Sequence, residues 1–446
     1  MKIILAGAGE VGFHLAKLLE SESQDITLID TNAEVLENAA IHLDVMIIRG
    51  DCASISILLE ADVNKAKLFI AVTTSEKTNL LSAMLAKQLG AKRTFARVNS
   101  SEYVKPIQLE RFRKLGIDNL FSPVLLATKE IDRLLRRSSF TDLYNFEGGK
   151  ISLLGVTIEN NSPIVGKSFH EIDDQTPDYL FRVIALMRDG NTTLPNKKIL
   201  YQSGDHLYLV AKQSAIDLVV NYLGMSDYKI KKVMISGGSL LAKSVAQLLE
   251  EDFSITLIDQ SKERCKELIS DLQHTLVIKG NPSNINLLQE EGLSNMDAFL
   301  SLTPNSEINM VTSLIAKEAG VHKTIALVDN AVYTHISQNI GIDTIINKKI
   351  IAANDIFRFV RKGKIKAITS LHGVNAEIIE FEVYKSNQLT KKQLKELPIP
   401  QNALVAAVIR GNESFIPTGS FKMEVNDKVI VFALPDSIGK LERLFR

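Results

Sequence analysis

The chain carries an internal repeat that spans nearly its whole length, and this repeat constrains the architecture more than any other feature. KIILAGAGEVGFHLAKLLE at residues 2–20 returns as KVMISGGSLLAKSVAQLLE at residues 232–250, with the same length and apolar pattern. ITLIDTN returns as ITLIDQS, and LGID returns as IGID. Farther along each copy, VIALMRDGNTTLP is paralleled by VAAVIRGNESFIP, and SGDHLYLVA by VNDKVIVFA. The chain is therefore two copies of one two-part unit.

The first part of each copy alternates short apolar runs with longer segments of helical period, which is typical of βα units in a parallel sheet. In the first copy the predicted strands are Ile3–Ala6, Ile26–Ile29, Val45–Ile48, Leu68–Val72, Thr94–Val98 and Asn119–Phe121. The predicted helices are Val11–Glu20, Ala33–Ala40, Ile55–Glu60, Glu76–Leu89 and Tyr103–Leu115, with C-terminal caps at Gly90 and Gly116. This order predicts a doubly wound, Rossmann-like domain.

The second part of each copy is shorter and has a different pattern. Residues from about 150 to 222 are typical of strand, short helix, strand, turn, strand and helix, which predicts a small α+β module. The fold class is therefore α/β: two tandem Rossmann-like doubly wound parallel-sheet domains, each followed by a small α+β domain. The expected boundaries are 1–137, 138–224, a linker at 225–231, 232–362 and 363–446.

Bulk composition excludes several classes of protein. With 446 residues the chain is long enough for several cores, and its 52 basic and 52 acidic residues balance, which gives no electrostatic reason to expect nucleic-acid binding. No signal peptide or stretch of ~20 apolar residues is recognisable. Cys52 and Cys265 are far apart and outside any metal-ligand spacing, so neither a disulfide nor a metal site is expected.

The first copy contains a glycine fingerprint between its first predicted strand and helix. Gly7 closes the strand, and Gly9 and Gly12 open the helix, so that the backbone can approach a pyrophosphate at the positive end of the helix dipole. Asp30 ends the second strand, where a carboxylate accepts hydrogen bonds from ribose hydroxyls and favours NAD(H) over NADP(H). An aspartate there also caps the following helix, and both roles can coexist.

Other polar side chains follow neighbouring strands and should reach the same crevice. Asp51 and Cys52 follow the third strand, Thr73 and Thr74 the fourth, and Arg97 ends the fifth. Asp51 suits the adenosine, the threonines suit phosphate or the nicotinamide half, and Arg97 suits phosphate charge. Singly, each is as readily explained by capping, turns or salt bridges, and Cys52 by packing.

The second copy keeps only part of this set. It retains Gly237, Gly238 and Asp259, but Ser239 replaces Gly9 and Leu327 replaces Arg97. Ala242 replaces Gly12, Asn281 replaces Asp51 and Pro304 replaces Thr74. We expect the second cleft to bind a nucleotide more weakly, with altered preference, or not at all.

An oxidoreductase is the main alternative for a Rossmann-like chain. Hydride transfer needs a proton-transfer group beside the reacting carbon. The eight histidines are scattered, and none stands at a strand end beside the predicted crevice with an orienting partner: His14, His42, His170, His206, His274, His322, His335 and His372. The chain is therefore expected not to be an enzyme, with an NAD-dependent oxidoreductase as the alternative.

At this point the residues resemble a known family. AGAGEVG, the LID that ends in Asp30, GD at 50–51, TTSEKTN and ARVNSSEY, followed by the small module, are similar to the RCK (KTN) domain, the regulator of potassium conductance. Two such units in one chain resemble the peripheral NAD-binding subunits of the Trk potassium-uptake family. The resemblance covers essentially the whole chain.

The resemblance implies a regulatory subunit rather than an enzyme. It would lie on the cytoplasmic face of the cell membrane, bind NAD(H) or ATP/ADP, and gate an integral-membrane potassium-translocating subunit. Four chains would form a ring of eight RCK units, with the helix from about Pro123 to Arg137 pairing one unit with another. The implied nucleotide residues are Gly7, Ala8, Gly9, Glu10, Val11, Asp30, Asp51, Cys52, Thr73, Thr74 and Arg97, followed by Gly237, Gly238, Ser239, Leu240 and Asp259 of the second copy.

Overall fold

The computed structural model describes residues 1–20, 24–169, 171, 181–189, 191–195, 199–225, 228–329, 341–360, 365–370 and 376–445. The chain divides into two compact units, residues 1–129 with 347–360 and residues 130–346 with 361–446. The expected boundary at 362–363, part of the expected linker, and His170, His335 and His372 lie outside the described residues. Within these ranges, no helix is both long enough and apolar enough to cross a membrane.

The first unit contains a six-stranded, wholly parallel sheet. Its strands are β1 (Lys2–Ala6), β2 (Asp25–Asp30), β3 (Met46–Arg49), β4 (Leu68–Ala71), β5 (Thr94–Arg97) and β6 (Asn119–Phe121). They lie in the order β3-β2-β1-β4-β5-β6, so the direction of winding reverses between β1 and β4. The six strands predicted from the sequence are confirmed to within one residue at each end, because buried apolar runs such as Ile3–Leu5 mark them clearly.

Helices cover this sheet, and we call the sheet with its first five helices the first lobe. They are α1 (Glu10–Glu20), α2 (Ala33–His42), α3 (Ile55–Glu60), α4 (Glu76–Gln88) and α5 (Pro106–Lys114), followed by α6 (Pro123–Arg136). Helix α5 begins at Pro106 rather than at the predicted Tyr103, because a proline holds the preceding residue, Lys105, in an extended conformation. Gly90 and Gly116 have φ of +112° and +93°, which confirms the predicted helix ends.

The second unit begins with the first small module. Its strands are β7 (Asp142–Phe146), β8 (Ile151–Thr157), β9 (Phe181–Arg188), β10 (Asn191–Thr193) and β11 (His206–Lys212), and helix α7 (Ile216–Tyr222) follows. The sheet is antiparallel, in the order β10-β9-β11-β8-β7. Strand β7 was not expected from the sequence, since it is short and follows a helix without a clear turn signal. It pairs with β8 through the turn at residues 147–149.

The second lobe repeats the first. Strands β12 (Lys232–Ser236), β13 (Ser254–Asp259), β14 (Thr275–Lys279), β15 (Ala298–Ser301), β16 (Lys323–Leu327) and β17 (Thr344–Ile346) form a parallel sheet in the order β14-β13-β12-β15-β16-β17. Its described helices are α8 (Leu240–Leu249), α9 (Lys262–Asp271), α10 (Ile285–Glu290) and α11 (Ser306–Glu318). The two-fold repeat seen in the sequence is thus a repeat of strand order as well.

The helix after the second lobe belongs to the other unit. Helix α12 (Lys348–Val360) follows β17 in the chain but packs on α1 in the first unit. Asn347 caps it, with its side-chain oxygen accepting from the backbone N–H groups of Lys349 and Ile350 at 3.0 and 3.1 Å. The unit boundary therefore falls between Ile346 and Asn347.

The second small module completes the chain. Its strands are β18 (Ile365–Ser370), β19 (Glu377–Glu382), β20 (Ala403–Arg410), β21 (Glu413–Phe415) and β22 (Lys428–Ala433), with helices α13 (Gln388–Lys391) and α14 (Pro435–Phe445). The sheet order is β18-β19-β22-β20-β21. Tandem Rossmann-like domains, each followed by a small α+β domain, confirm the predicted fold class.

Each small module contains the same buried ion pair. Arg188 binds both carboxylate oxygens of Asp205 at 2.6 and 2.7 Å, and Arg410 binds those of Asp427 at 2.8 and 2.9 Å. Asp205 and Asp427 are 1% and 0% exposed, so each carboxylate needs this bidentate partner. The repeated arginine and aspartate therefore hold the turn before β11 and β22 against the preceding hairpin.

The two small modules share one apolar core, which the sequence did not predict. Phe146, Ile184 and Tyr208 of the first module lie in the same buried cluster as Ile378 and Phe432 of the second. The Arg182 guanidinium also donates to the Pro417 carbonyl at 2.7 Å. The modules therefore form one packed layer within the second unit.

Candidate nucleotide site in the first Rossmann lobe

A cleft of about 660 Å³ lies at the carboxyl ends of the first-lobe strands. Such ends, next to the switch point between β1 and β4, are where open α/β sheets bind their ligands. Ten of the predicted first-lobe residues line it: Gly7, Gly9, Glu10, Val11, Asp30, Asp51, Cys52, Thr73, Thr74 and Arg97. Ala8 is buried and does not line the cleft, but its backbone N–H donates to the Asp30 carboxylate.

The three glycines of the fingerprint differ in what a side chain at each position would meet. Gly7 has φ of +107°, and a Cβ there would lie 2.8 Å from the Thr73 nitrogen. A Cβ on Gly12 would lie 1.9 Å from the Gly7 oxygen, so its absence lets α1 approach the end of β1. A Cβ on Gly9 would meet nothing within 4 Å, because this residue faces the open cleft. Gly9 is therefore the glycine whose missing side chain leaves room in the cleft and is not required by the packing of the loop.

Asp30 holds the glycine loop while it lines the cleft. One carboxylate oxygen accepts from the Ala8 N–H at 2.7 Å, and the other accepts from the Asn32 N–H at 2.9 Å. The side chain thus joins the loop after β1 to Asn32, the residue that precedes α2. The capping role expected for Asp30 is wrong, because Asn32 is the N-cap of α2 and accepts from the Glu34 N–H at 2.9 Å. Ribose binding by the Asp30 carboxylate stays a prediction.

A buried asparagine joins the ends of β4 and β5 below the cleft. Asn79, 1% exposed, accepts from the Thr73 N–H at 2.9 Å and donates to the carbonyl oxygens of Thr73 and Arg97, both at 3.0 Å. This bridge fixes the two strand ends that carry Thr73 and Arg97. Asn79 was not among the residues expected from the sequence, although its repetition as Asn309 in the second copy marks the position.

Among the described residues that line the cleft, Arg97 is the basic side chain that comes from the first lobe itself. Burial lowers the pKa of its guanidinium, and its buried Nε has no hydrogen-bond partner among the described residues. A desolvated guanidinium that lines a cleft is energetically costly unless an anion joins it. The position therefore suits a phosphate or pyrophosphate.

The two residues after β3 have mainly structural contacts in this structure. The Asp51 carboxylate accepts from the Ala53 N–H at 2.9 Å and so shapes the turn before α3. Cys52 is 5% exposed and belongs to the core of the first lobe. Burial raises the pKa of its thiol to about 11, so it stays protonated at neutral pH. Both nevertheless reach the wall of the cleft.

Several lining residues were not expected from the sequence. Lys349, from the first turn of α12, is the most distant of them in the chain. The rest are neighbours of predicted positions: Ile29, Thr31, Asn32, Val35, Gly50, Val72, Ser75 and Thr78. Proximity in the sequence could have found this second group, whereas nothing in the local pattern around Lys349 points to the first lobe.

The second lobe keeps the loop but changes its surroundings. Asp259 accepts from the Gly238 N–H at 2.5 Å and from the Ser261 N–H at 2.8 Å, as Asp30 does in the first lobe. The retained aspartate is therefore explained by the fold alone. Ser239, in place of Gly9, caps α8 by accepting from the Ala242 N–H at 3.3 Å.

The second-lobe cleft is smaller and differently lined. Its volume is about 370 Å³, and its walls come mainly from residues 281–283 and 303–308. Of the predicted second-lobe residues, Gly237, Gly238, Ser239, Leu240 and Asp259 are all outside this lining. The Arg264 stem, in the position that Val35 has in the first lobe, comes within 3.1 Å of where a Gly238 Cβ would be. Both observations accord with a weaker second site, which stays a prediction.

Comparison with known proteins places this geometry in a family. The model of the TrkA-N domain matches residues 3–123 and 233–348, and that of the TrkA-C domain matches residues 153–224 and 378–446. The chain belongs to the TrkA family. These matches fall on the two lobes and the two small modules of this TrkA-family chain.

Full-length relatives agree with this membership. A Trk system potassium uptake protein TrkA homolog from Archaeoglobus fulgidus is 32% identical, and the alignment covers 100% of both chains. The Trk system potassium uptake protein TrkA of Haemophilus influenzae is 30% identical over 100% of this chain and 99% of its own. The tandem arrangement therefore extends along the whole length of these TrkA relatives.

Solved structures show the same fold at lower identity. The GsuK channel bound to NAD has a TM-score of 0.61 and 14% identity, covering 100% of this chain and 78% of that one. The GsuK RCK domain has the same TM-score and identity, with 94% of that chain covered. This TrkA-family chain thus has the fold of tandem RCK domains, as its sequence suggested.

Proposed function

We propose that this chain is a cytoplasmic regulatory subunit of a potassium-uptake system and that an adenine nucleotide binds in the first-lobe cleft. The ligand would be NAD(H), or ATP or ADP in the same place. The observation that carries the proposal is that one cleft is lined both by Gly9, where a Cβ would meet nothing within 4 Å, and by Arg97, whose buried Nε has no hydrogen-bond partner among the described residues. The names of the full-length relatives support the potassium-uptake part.

The cleft fits the parts of such a ligand. A pyrophosphate at Gly9 would meet the N-terminus of α1 with its unpaired N–H groups and positive dipole end. Arg97 would neutralise phosphate charge, and Asp30 would accept from the ribose hydroxyls without leaving the loop that it holds. The described residues of the cleft thus offer groups that suit the phosphates and the ribose of an adenine nucleotide.

Regulation requires that the ligand bind two conformations with different affinity. Helix α12, whose first turn lines the cleft, follows directly on the last strand of the second-lobe sheet. A ligand that favours one position of this helix would change the chain beyond the cleft. The partner would be a TrkH-like integral-membrane potassium-translocating subunit, reached by a tetramer that presents a ring of eight RCK units.

The test uses two matched variants. Asp30→Ala and Asp259→Ala remove the same pair of loop hydrogen bonds from the two lobes, so their structural costs are comparable. Calorimetric titration of NADH and ATP should show that Asp30→Ala weakens binding by about 10- to 100-fold, as loss of charged hydrogen bonds predicts. Asp259→Ala should bind like the wild type.

Three outcomes would contradict the proposal. The wild-type chain could bind neither nucleotide, or both variants could lose affinity equally. Steady consumption of NADH with a small carbonyl substrate would instead support the oxidoreductase alternative. Rubidium uptake into vesicles that contain a TrkH-like subunit provides the functional measurement, and it should change when nucleotide is added to the wild type but not to Asp30→Ala.

A further inference from the structure

A lysine from the far end of the repeat lies at the first-lobe cleft. Lys349, in the first turn of α12, lines the cleft and forms an ion pair with Glu10, the first residue of α1. Both residues belong to the first compact unit. The two side chains are 25% and 65% exposed, so the pair stands at the mouth of the cleft rather than in the core.

Both members of this pair are missing from the matching positions of the repeat. The glycine loops align Glu10 with Leu240, and LGID and IGID align Val124 with Lys349. The chain therefore has apolar residues at both counterpart positions. The charge pair occurs only with the copy of the loop that keeps Gly9 and Arg97, which associates it with ligand binding rather than with the fold.

The ion pair is a weak one for a structural contact. Ion pairs at a solvent-accessible position contribute little to the stability of a protein. A phosphate group bears more charge than a carboxylate and offers more acceptor oxygens, so it competes well for a lysine ammonium. Glu10 also stands where the N–H groups of the glycine loop would hold a pyrophosphate, which places the ammonium beside the expected phosphates.

We propose that Lys349 is a phosphate-binding residue of the first-lobe site, which the helix following the second lobe supplies, and that ligand phosphate displaces Glu10 from it. This inference rests on the proposed nucleotide site. Lys349 lies three residues after Ile346, the last residue of the second-lobe sheet. The number of phosphates on the ligand would thus be sensed by a helix of the first unit that follows the second-lobe sheet in the chain.

The test compares ligands that differ only in phosphate. Adenosine, AMP, ADP and ATP are titrated into the full chain and into Lys349→Met, which keeps the length of the side chain and removes its charge. The ratio of the variant's Kd to the wild-type Kd should be near one for adenosine and reach about tenfold or more for ATP. Glu10→Gln, which leaves the backbone N–H in place, should tighten ATP binding a few-fold.

The matched control is Lys348→Met. Lys348 is the preceding residue of the same helix and does not line the cleft, so its substitution should leave all four affinities unchanged. The inference is overturned if Lys349→Met binds ATP as the wild type does, or if it loses affinity for adenosine and ATP by the same factor. In both cases the wild type still binds nucleotide and the proposed function stands. A wild type that binds NADH but none of the four ligands overturns this inference alone, and one that binds neither NADH nor any of the four overturns the proposed function as well.

Discussion

Thr73 and Asn79 exchange hydrogen bonds at the floor of the cleft. The Thr73 N–H donates to the Asn79 side-chain oxygen at 2.9 Å, and the Asn79 amide donates back to the Thr73 carbonyl at 3.0 Å. Thr303 and Asn309 repeat both bonds in the second lobe, at 3.0 and 2.8 Å. The exchange is therefore a property of the fold that both lobes share.

Asn79→Ala should destabilise the first lobe, because it leaves buried backbone groups of Thr73 and Arg97 without partners. The expected loss in free energy of unfolding is about 2–4 kcal/mol, measured by urea denaturation. Asn309→Ala should cost the second lobe a similar amount. Only Asn79→Ala should also weaken ATP binding under conditions where both variants are folded, and equal effects on binding would contradict the assignment of the site to the first lobe.

Gly9→Ser should separate binding from folding. An added Cβ meets no neighbouring atom within 4 Å, and Ser239 already caps a helix from the same position in the second lobe. Thermal unfolding should therefore occur at the wild-type temperature or slightly above it, since serine stabilises an N-cap by only a few tenths of a kcal/mol more than glycine does. Nucleotide affinity should fall, because the side chain occupies the space of the pyrophosphate. Undiminished affinity would show that phosphate does not approach Gly9.

Arg97→Leu copies the second-lobe residue Leu327 into the first lobe. It removes a desolvated guanidinium whose pKa is lowered by burial, so stability should be unchanged or increased. Affinity for ATP should fall by about tenfold or more, and its dependence on salt concentration should weaken. Titration at two ionic strengths measures both effects. A variant that loses stability but keeps its affinity would assign Arg97 a structural role.

The free energy of unfolding of the wild type should increase with pH in the alkaline range, and Lys323→Met should abolish that increase. Lys323 is buried, and its ammonium donates to the Phe140 carbonyl at 2.7 Å. Burial lowers the pKa of this group from 10.5 to about 8, although Asp343 and Asp142 oppose the shift. Between these two values the unfolded chain binds a proton that the folded chain has lost. The free energy of unfolding therefore gains up to about 1.4 kcal/mol per pH unit across this range.

Urea denaturation between pH 7.5 and 10.5 measures that slope in the wild type and in the variant. The difference in free energy of unfolding between wild type and variant should be constant below pH 8 and then change steadily as the pH rises. Lys232→Met, an exposed lysine on the same sheet, is the control and should leave the slope unchanged. A parallel pair of curves for wild type and Lys323→Met would contradict the prediction.

Local patterns predicted much of this molecule. The strands of the first lobe, the helix ends at Gly90 and Gly116, and the two-fold repeat follow from apolar periodicity and glycine chemistry, which act over a few residues. Most residues that line the first cleft could be predicted for the same reason, since they lie directly after recognisable strands. Asn79 was missed because its role lies in bonds to two strand ends, which no local pattern records.

The amino-acid sequence by itself determined the repeat, the Rossmann-like lobes and the group of residues at the strand ends, because these depend on short-range periodicity and turn geometry. Only the tertiary structure decided that the first-lobe cleft is larger than the second-lobe cleft, that Asp259 is held by loop contacts, and that the small modules share a core. It also brought Lys349 to Glu10 across 339 positions of the chain. Such long-range contacts depend on how complete helices and sheets pack, and packing is a property of the assembled surfaces rather than of any one segment.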